Sequence, residues 1–127
     1  DRIKQWRSGA VRPLHLQHGE MGERAAKKLL RGLGLKFLTA NFRSNHGEID
    51  LVFRDADCLV FVEVKSRSGT AFGTPAQAVN IGKQQRLRQT AQHYLIQRRL
   101  ELCPLRFDVI SIVNRRPPEV EHIIGAF

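Results

Sequence analysis

Apolar and polar residues change their spacing several times along this chain, and each change marks an element. From Gly19 to Leu33, the residues Met21, Ala25, Ala26, Leu29, Leu30 and Leu33 recur at helical spacing. Gly32 and Gly34 supply a stop, so a helix is predicted over 19–33 with those six residues turned inward. Leu35 to Arg43 reads as a strand of mixed pattern, and the polar stretch Asn41 to Gly47 reads as a turn. Glu48 to Arg54 alternates, with Ile49, Leu51 and Phe53 on one face and Glu48, Asp50 and Val52 on the other. After a short turn near Asp55-Ala56-Asp57, Leu59 to Lys65 alternates again. Val60, Val62 and Val64 share one face, and Leu59, Phe61, Glu63 and Lys65 share the other.

Ser66 to Thr74 is a Gly-containing loop that ends on Thr74-Pro75, a good N-cap and first helical position. A helical region is predicted from Pro75 to about Leu100, interrupted near Gly82, with Leu87, Ala91, Tyr94 and Leu95 as its inner stripe. Leu105 to Val113 is a further strand. Arg115-Arg116-Pro117-Pro118 turns the chain, and Val120 to Phe127 closes as an edge strand. The order αβββαββ predicts an α/β fold, a mixed central sheet of about five strands flanked by helices. Residues 1–16 carry Arg2, Lys4, Arg7 and Arg12 with little periodicity, and are read as a basic N-terminal arm. Residues 17–127 form a single domain. No apolar run approaches the ~18 residues a spanning helix needs, so no membrane partner is expected.

The alternation fixes a register. If the turn between the two central strands has an even number of residues, Ile49 faces Val64, Leu51 faces Val62 and Phe53 faces Val60, so apolar sides match. An odd turn would set apolar faces against polar ones, and register is strongly specified where one face is buried. The favoured register brings Asp50 opposite Glu63 and Glu48 opposite Lys65, at about 4.5–5.5 Å between directly opposed Cβ atoms.

Two carboxylates that close repel unless a proton or cation sits between them. A divalent cation with oxygen ligands, most simply Mg²⁺ or Mn²⁺, answers the requirement. Lys65, on the side of Glu63, is placed to orient or deprotonate a water or to stabilise a phosphate. Metal, water and cation together are the needs of assisted phosphodiester hydrolysis. A bare Glu-x-Lys is common, and a structural Glu63–Lys65 or Glu48–Lys65 ion pair has equal claim on spacing alone. For Glu23 on the first helix, periodicity alone favours a surface pair with Lys27, four residues on, over a role at the site.

Charge changes the picture further. The 127 residues hold 21 Lys plus Arg against 12 Asp plus Glu, a net of +9, and fifteen of the cations are Arg. Arg binds phosphate bidentately and keeps its charge when half-buried, so a polyanion, nucleic acid above all, is the expected partner. Arg43, Arg67, Lys83 and Arg86 flank the candidate site in sequence and are the candidate nucleic-acid contacts, with Arg88 and His46 beside them. Asp108 sits on an apolar strand, where pairing with an Arg competes with a chemical role. Cys58 and Cys103 lie far apart, and Cys58 opens an apolar run as a buried free thiol would. That pattern points to a reducing, cytoplasmic location rather than a disulfide scaffold.

Asp50 followed thirteen residues later by Glu63-Val64-Lys65 resembles the PD-(D/E)xK nuclease motif. The likeness extends over Gly19-x-x-x-Glu23-x-x-Ala26-x-x-x-Leu30, Gly47-Glu48-Ile49-Asp50-Leu51, Phe61-Val62-Glu63-Val64-Lys65-Ser66-Arg67, Lys83 and Phe107-Asp108-Val109. In these blocks the chain is similar to the YraN-type family of bacterial proteins. The resemblance implies a restriction-endonuclease-like fold with an αβββαβ core, related to archaeal Holliday-junction resolvases. It implies Asp50 and Glu63 as metal ligands, Glu23 as the acid added by the first helix, and Lys65 as the catalytic lysine, with Mg²⁺ or Mn²⁺ as cofactor. The broad motif has a Pro before the first acid, where this chain has Ile49. The function so implied is metal-dependent hydrolysis of DNA, branched DNA included. By analogy with junction resolvases that cut two strands, the implied assembly is a homodimer. The alternative is a non-catalytic nucleic-acid-binding module that keeps the fold.

Overall fold

The computed structural model describes residues 14–68, 79–100 and 102–127, with only the backbone described at 14–20 and 67–68. The elements are helix α1 (Leu14–Gly32), strands β1 (Lys36–Ser44), β2 (Gly47–Asp55) and β3 (Cys58–Ser68), helix α2 (Ile81–Gln97), and strands β4 (Leu105–Asn114) and β5 (Glu119–Ile123). The strands form one mixed sheet in the order β1-β2-β3-β4-β5. All neighbours are antiparallel except β3 and β4, which run parallel. A parallel pair needs a crossover, and α2 lies in it. The fold is thus the expected α/β class with five mixed strands.

The two faces of the sheet bury different helices. Ala26 and Leu30 of α1 pack with Leu51, Phe53, Val60, Val62, Ile110 and Ile112. Leu87, Ala91 and Tyr94 of α2 pack with Val52, Phe61, Phe107 and Val109 on the opposite side. Each central strand therefore sends alternate residues to two cores, which explains its nearly unbroken apolar run. The predicted register holds from Asp55–Cys58 to Leu51–Val62, with Val52 facing Phe61 and Phe53 facing Val60; the expected Ile49–Val64, Asp50–Glu63 and Glu48–Lys65 pairs are not part of the ladder, and Ile49 and Val64 belong to opposite cores.

Several expectations are corrected. α1 starts at Leu14, so the last three residues of the expected arm are helical, and residues 1–13 lie outside the described residues. Met21 and Leu33, expected inward, are exposed because the buried stripe of α1 is narrower than the sequence pattern. β1 does not turn at Asn41. It continues to Ser44, and Asn41 takes a positive φ of 54° within the strand, a conformation Asn tolerates better than most residues. Ile49 faces Phe42 of β1 and packs with Phe42 and Tyr94 on the α2 side, not with Leu51 and Phe53.

α2 begins at Ile81, capped by Asn80, whose side chain accepts the Lys83 backbone N–H at 2.9 Å. Gly82 therefore lies in its first turn and does not interrupt it. The expected cap at Thr74-Pro75 falls outside the described residues. β5 ends at Ile123, because Gly125 at φ 61° folds the tail back over β4. There the Ala126 N–H donates to the Phe107 carbonyl at 2.7 Å, and Phe127 stacks on Phe107 with centroids 5.0 Å apart.

Candidate active site

The pairing of β2 with β3 runs from Asp55–Cys58 to Leu51–Val62. One residue further, a side chain takes over from the backbone: the Val64 N–H donates to Asp50 Oδ2 at 2.7 Å. This bond pins the Asp50 carboxylate against β3 beside Glu63. Asp50 and Glu63 are close enough to feel each other's charge, although the ladder ends at Leu51–Val62 and does not pair them directly.

Asp50 stands in an unfavourable place for an anion. Burial, first, and then the charge of Glu63 push its carboxyl from the ordinary 3.8 up to about 8. Glu23 and Glu48 push the same way, and the Val64 N–H only partly offsets them. Glu23, on α1, is thus near enough to be felt. With the Asn41 amide oriented to satisfy both neighbours, its nitrogen donates to Glu23 Oε1 at 3.0 Å and to Glu48 Oε1 at 3.1 Å. Asn41 was missed by sequence reasoning, although an Asn inside a strand pattern is itself a signal of irregular backbone. Glu48 does not meet Lys65 as the simple register proposed. Arg43 Nε lies 3.3 Å from Glu48 Oε2 at the exposed rim.

Glu63 is buried, and two ammonium groups meet on one of its oxygens. Lys83 Nζ donates to Oε1 at 2.6 Å, and Lys65 Nζ lies 3.4 Å from the same atom. Burial pushes the Lys65 ammonium below its ordinary value, and Lys83 pushes in the same direction against the pull of Glu63. Burial also pulls on Lys83, but its bond to Glu63 and the charges of Glu63 and Asp50 outweigh that pull and hold it above its ordinary value. Sequence reasoning placed Lys83 among phosphate contacts; the structure brings it into the carboxylate cluster itself.

A recess of about 80 Å³ opens beside the cluster, lined by Gly47, Glu48, Lys83, Arg86 and Leu87. Arg86 is exposed at its mouth. The Arg67 side chain lies outside the described residues; its backbone pairs with Val113. Arg88 turns away, its guanidinium 5.1 Å from the Phe107 ring and 5.5 Å from the Phe127 ring. A roomier cavity of about 330 Å³ lies at β4 and β5, lined by Ser111, Val113, Glu119, Val120 and Glu121. Its two carboxylates make it a poor seat for phosphate.

Among the described residues no three His, Cys, Asp or Glu side chains are grouped closely enough to cage a metal ion. Mg²⁺ does not ask for a cage: it keeps several waters and takes one or two carboxylates plus substrate phosphates. Asp50 and Glu63 are such a pair of hard oxygen donors, and the crowding that raises Asp50 is what a cation would relieve. The residues fit Mg²⁺ bound by two carboxylates, with Glu23 at the margin.

Asp108 serves the fold. It is fully buried and accepts from Arg106 Nε and Nη2 at 3.0 Å each, from the Gly125 N–H at 3.0 Å, and pairs with His122 Nε2 at 2.8 Å. Arg106 reaches on to Asp55 at 3.0 Å. The Asp108 bond is the main cause that holds the Arg106 guanidinium above its ordinary value. Cys58 and Cys103 are both free and half-buried. Among the described residues no helix is long and apolar enough to cross a membrane.

Comparison with known proteins agrees with the motif blocks. A model of the family described as "Uncharacterised protein family UPF0102" matches residues 22–112, a span that contains Glu23, Asp50, Glu63, Lys65 and Lys83. Similar curated relatives include the UPF0102 protein of Geotalea daltonii, 46% identical over 111 residues, 86% of this chain and 87% of the relative. That of Syntrophotalea carbinolica is 45% identical over 113 residues, 88% and 92% of the two chains. That of Rhodococcus opacus is 41% identical over 115 residues, 89% and 98%. With a family match over most of its length and relatives above 40% identity, the chain belongs to the UPF0102 family, the bacterial family of YraN-type proteins.

Proposed function

We propose that this protein is a metal-dependent nuclease of the restriction-endonuclease-like type, acting on phosphodiester bonds of DNA. The observation that carries the reading is Asp50. Its half-buried carboxylate feels the charges of Glu63, Glu23 and Glu48 at the end of a strand ladder, beside two lysines that meet on Glu63. Like charges held close together in a half-buried place are costly unless a cation compensates them.

In this reading Asp50 and Glu63 hold Mg²⁺ or Mn²⁺, and Glu23 contributes from the margin. The bound cation supplies charge stabilisation at the scissile phosphate. Lys65, with its ammonium pushed down towards the neutral form, orients or deprotonates the attacking water. Arg43, Lys83 and Arg86, with Arg67 from the end of β3, bind the phosphate backbone, and the +9 net charge adds salt-dependent attraction. A location in the cytoplasm and action as a homodimer on branched DNA belong to the same proposal.

The test is cleavage of duplex, single-stranded and branched DNA, and of RNA, with Mg²⁺ or Mn²⁺. Wild type is expected to cut at least one of these, and Asp50→Asn and Lys65→Ala are expected to lose at least two orders of magnitude in rate, a typical cost of removing such groups. Equal cutting by all three proteins would reject the assignment of these residues. Salt-sensitive binding that survives Asp50→Asn, with no cleavage under either metal, would identify a nucleic-acid-binding module instead.

A further inference from the structure

Lys83 occupies a position that its own helix does not favour. It lies in the first turn of α2, where no acidic residue is found and where unpaired N–H groups repel a cation. Its Nζ nevertheless approaches Glu63 Oε1 at 2.6 Å, closer than Lys65 at 3.4 Å, which neighbours Glu63 along the same strand. Glu63 is buried, whereas the Lys83 side chain is 29% exposed. The lysine therefore has solvent and the recess beside Gly47 and Arg86 into which its stem can swing, while the carboxylate stays.

We infer that Lys83 is the internal counter-ion of Glu63, which competes with a divalent cation for that carboxylate and turns to the nucleic-acid phosphate when displaced. This rests on the reading of Asp50 and Glu63 as a cation site. Lys83 holds Oε1 at 2.6 Å with the Lys65 ammonium already 3.4 Å from the same atom, so a cation arriving there meets the repulsion of both and competes with Lys83, the closer of the two. Lys83 keeps a buried Glu63 compensated in the absence of metal. Once released, its ammonium lies beside Arg86 at the mouth of the recess, on a helix N-terminus that attracts phosphate. One side chain thereby links the two ligands, and the linkage is reciprocal: phosphate that draws Lys83 away frees Glu63 for the cation. Lys83 is a positioning residue in this scheme, distinct from Lys65.

Binding of Mn²⁺ alone, followed by the loss of the free-ion electron paramagnetic resonance signal, tests the idea on the full chain. Lys83→Met is expected to bind Mn²⁺ about tenfold more tightly than wild type, the order of one charge-assisted hydrogen bond. Lys83→Arg, which keeps the charge, is expected to stay within about twofold of wild type. Equal or weaker binding by Lys83→Met, with binding abolished in Asp50→Asn, would overturn the inference and leave the cation site standing. Absence of Mn²⁺ binding in every variant would instead overturn the cation site itself, and the inference with it. A second readout is the salt dependence of duplex DNA binding. In Ca²⁺ the logarithmic slope for Lys83→Met is expected to be smaller than wild type by about 1, and in a chelator the two slopes are expected to coincide. Equal slopes in Ca²⁺ would overturn the turn towards phosphate.

Discussion

Replacing Asp50 by Asn is expected to stabilise the metal-free protein at alkaline pH. The reason lies in the 3.8 to about 8 displacement of its carboxyl, caused by burial and then by Glu63. In the unfolded chain the group releases its proton near pH 4, while in the folded protein it keeps it until about pH 8. The unfolded state therefore gains relative to the folded state as pH rises through that window, and stability falls until about pH 8 and then levels off. At about 1.4 kcal/mol for each factor of ten, the full displacement sets a ceiling of about 6 kcal/mol. Asp50 is only half-buried and water reaches part of it, so about 2 kcal/mol is the figure to expect after screening. Asn keeps the oxygen that accepts the Val64 N–H and removes the charge. In a domain of this size about 2 kcal/mol raises the thermal midpoint by roughly 6–8 °C. Thermal unfolding of wild type and Asp50→Asn in a chelator, at pH 5 and pH 8, measures it. The difference should be largest at pH 8 and shrink towards pH 5. A variant less stable than wild type at pH 8, or a gap that does not change with pH, would refute the reasoning. Mg²⁺ at pH 8 should then raise the midpoint of wild type and leave that of Asp50→Asn unmoved.

Other outcomes follow from the same contacts. Lys83→Met should raise the titration midpoint of Lys65, because it removes a like charge and frees Glu63; the side-chain carbon resonances of Lys65 would report it, and an unchanged or lower midpoint would count against the cluster. Asp108→Ala should destabilise by about 3 kcal/mol in urea titration, since it strands Arg106 and His122; a loss under about 1 kcal/mol would show that water compensates them. A Cβ at Gly22 would come within 2.5 Å of Ser66 Oγ. Gly22→Ala should be tolerated by rotation of that hydroxyl, whereas Gly22→Val should lift α1 from β3 and lower the midpoint by several degrees, roughly 1–3 kcal/mol of overpacking; equal midpoints would contradict the tight approach.

Much of the core was legible because period-two alternation in β2 and β3 has only one register that matches apolar sides. Leu51–Val62 and Phe53–Val60 follow from it directly. Ile49 was misread because strict alternation carries it to the face of Leu51 and Phe53, whereas it shares the other core with Val52, a break in alternation that hydrophobic pattern does not encode. That Asp50 lies near Glu63 follows from the same register, but its contact, with the Val64 N–H beyond the end of the ladder, does not. The bond from Lys83 to Glu63 spans twenty residues and depends on where α2 starts. The sequence puts Lys83 near the start of this helix, but which way its side chain turns depends on the Asn80 cap and the packing of the helix on the sheet, which local spacing does not encode. The Asp108 network joins β4, β5 and a returning tail through Gly125, a tertiary closure with no signature in local spacing.

The ladder between β2 and β3 also acts as a ruler. Asp50 and Val64 meet at one end of it, and the turn between Asp55 and Cys58, with Ala56 at φ 53°, closes the other, about 17 Å away at strand rise. The hairpin turn, together with the apolar matching of Leu51 to Val62 and Phe53 to Val60, sets the offset of the two strands. One residue inserted there would leave a hairpin of similar composition but slide Val64 past Asp50, and would turn Glu63 to the other face of the sheet. The length of a solvent-facing turn is therefore inherited together with the acids, and grafting the four-acid arrangement onto another scaffold would require copying that turn with it.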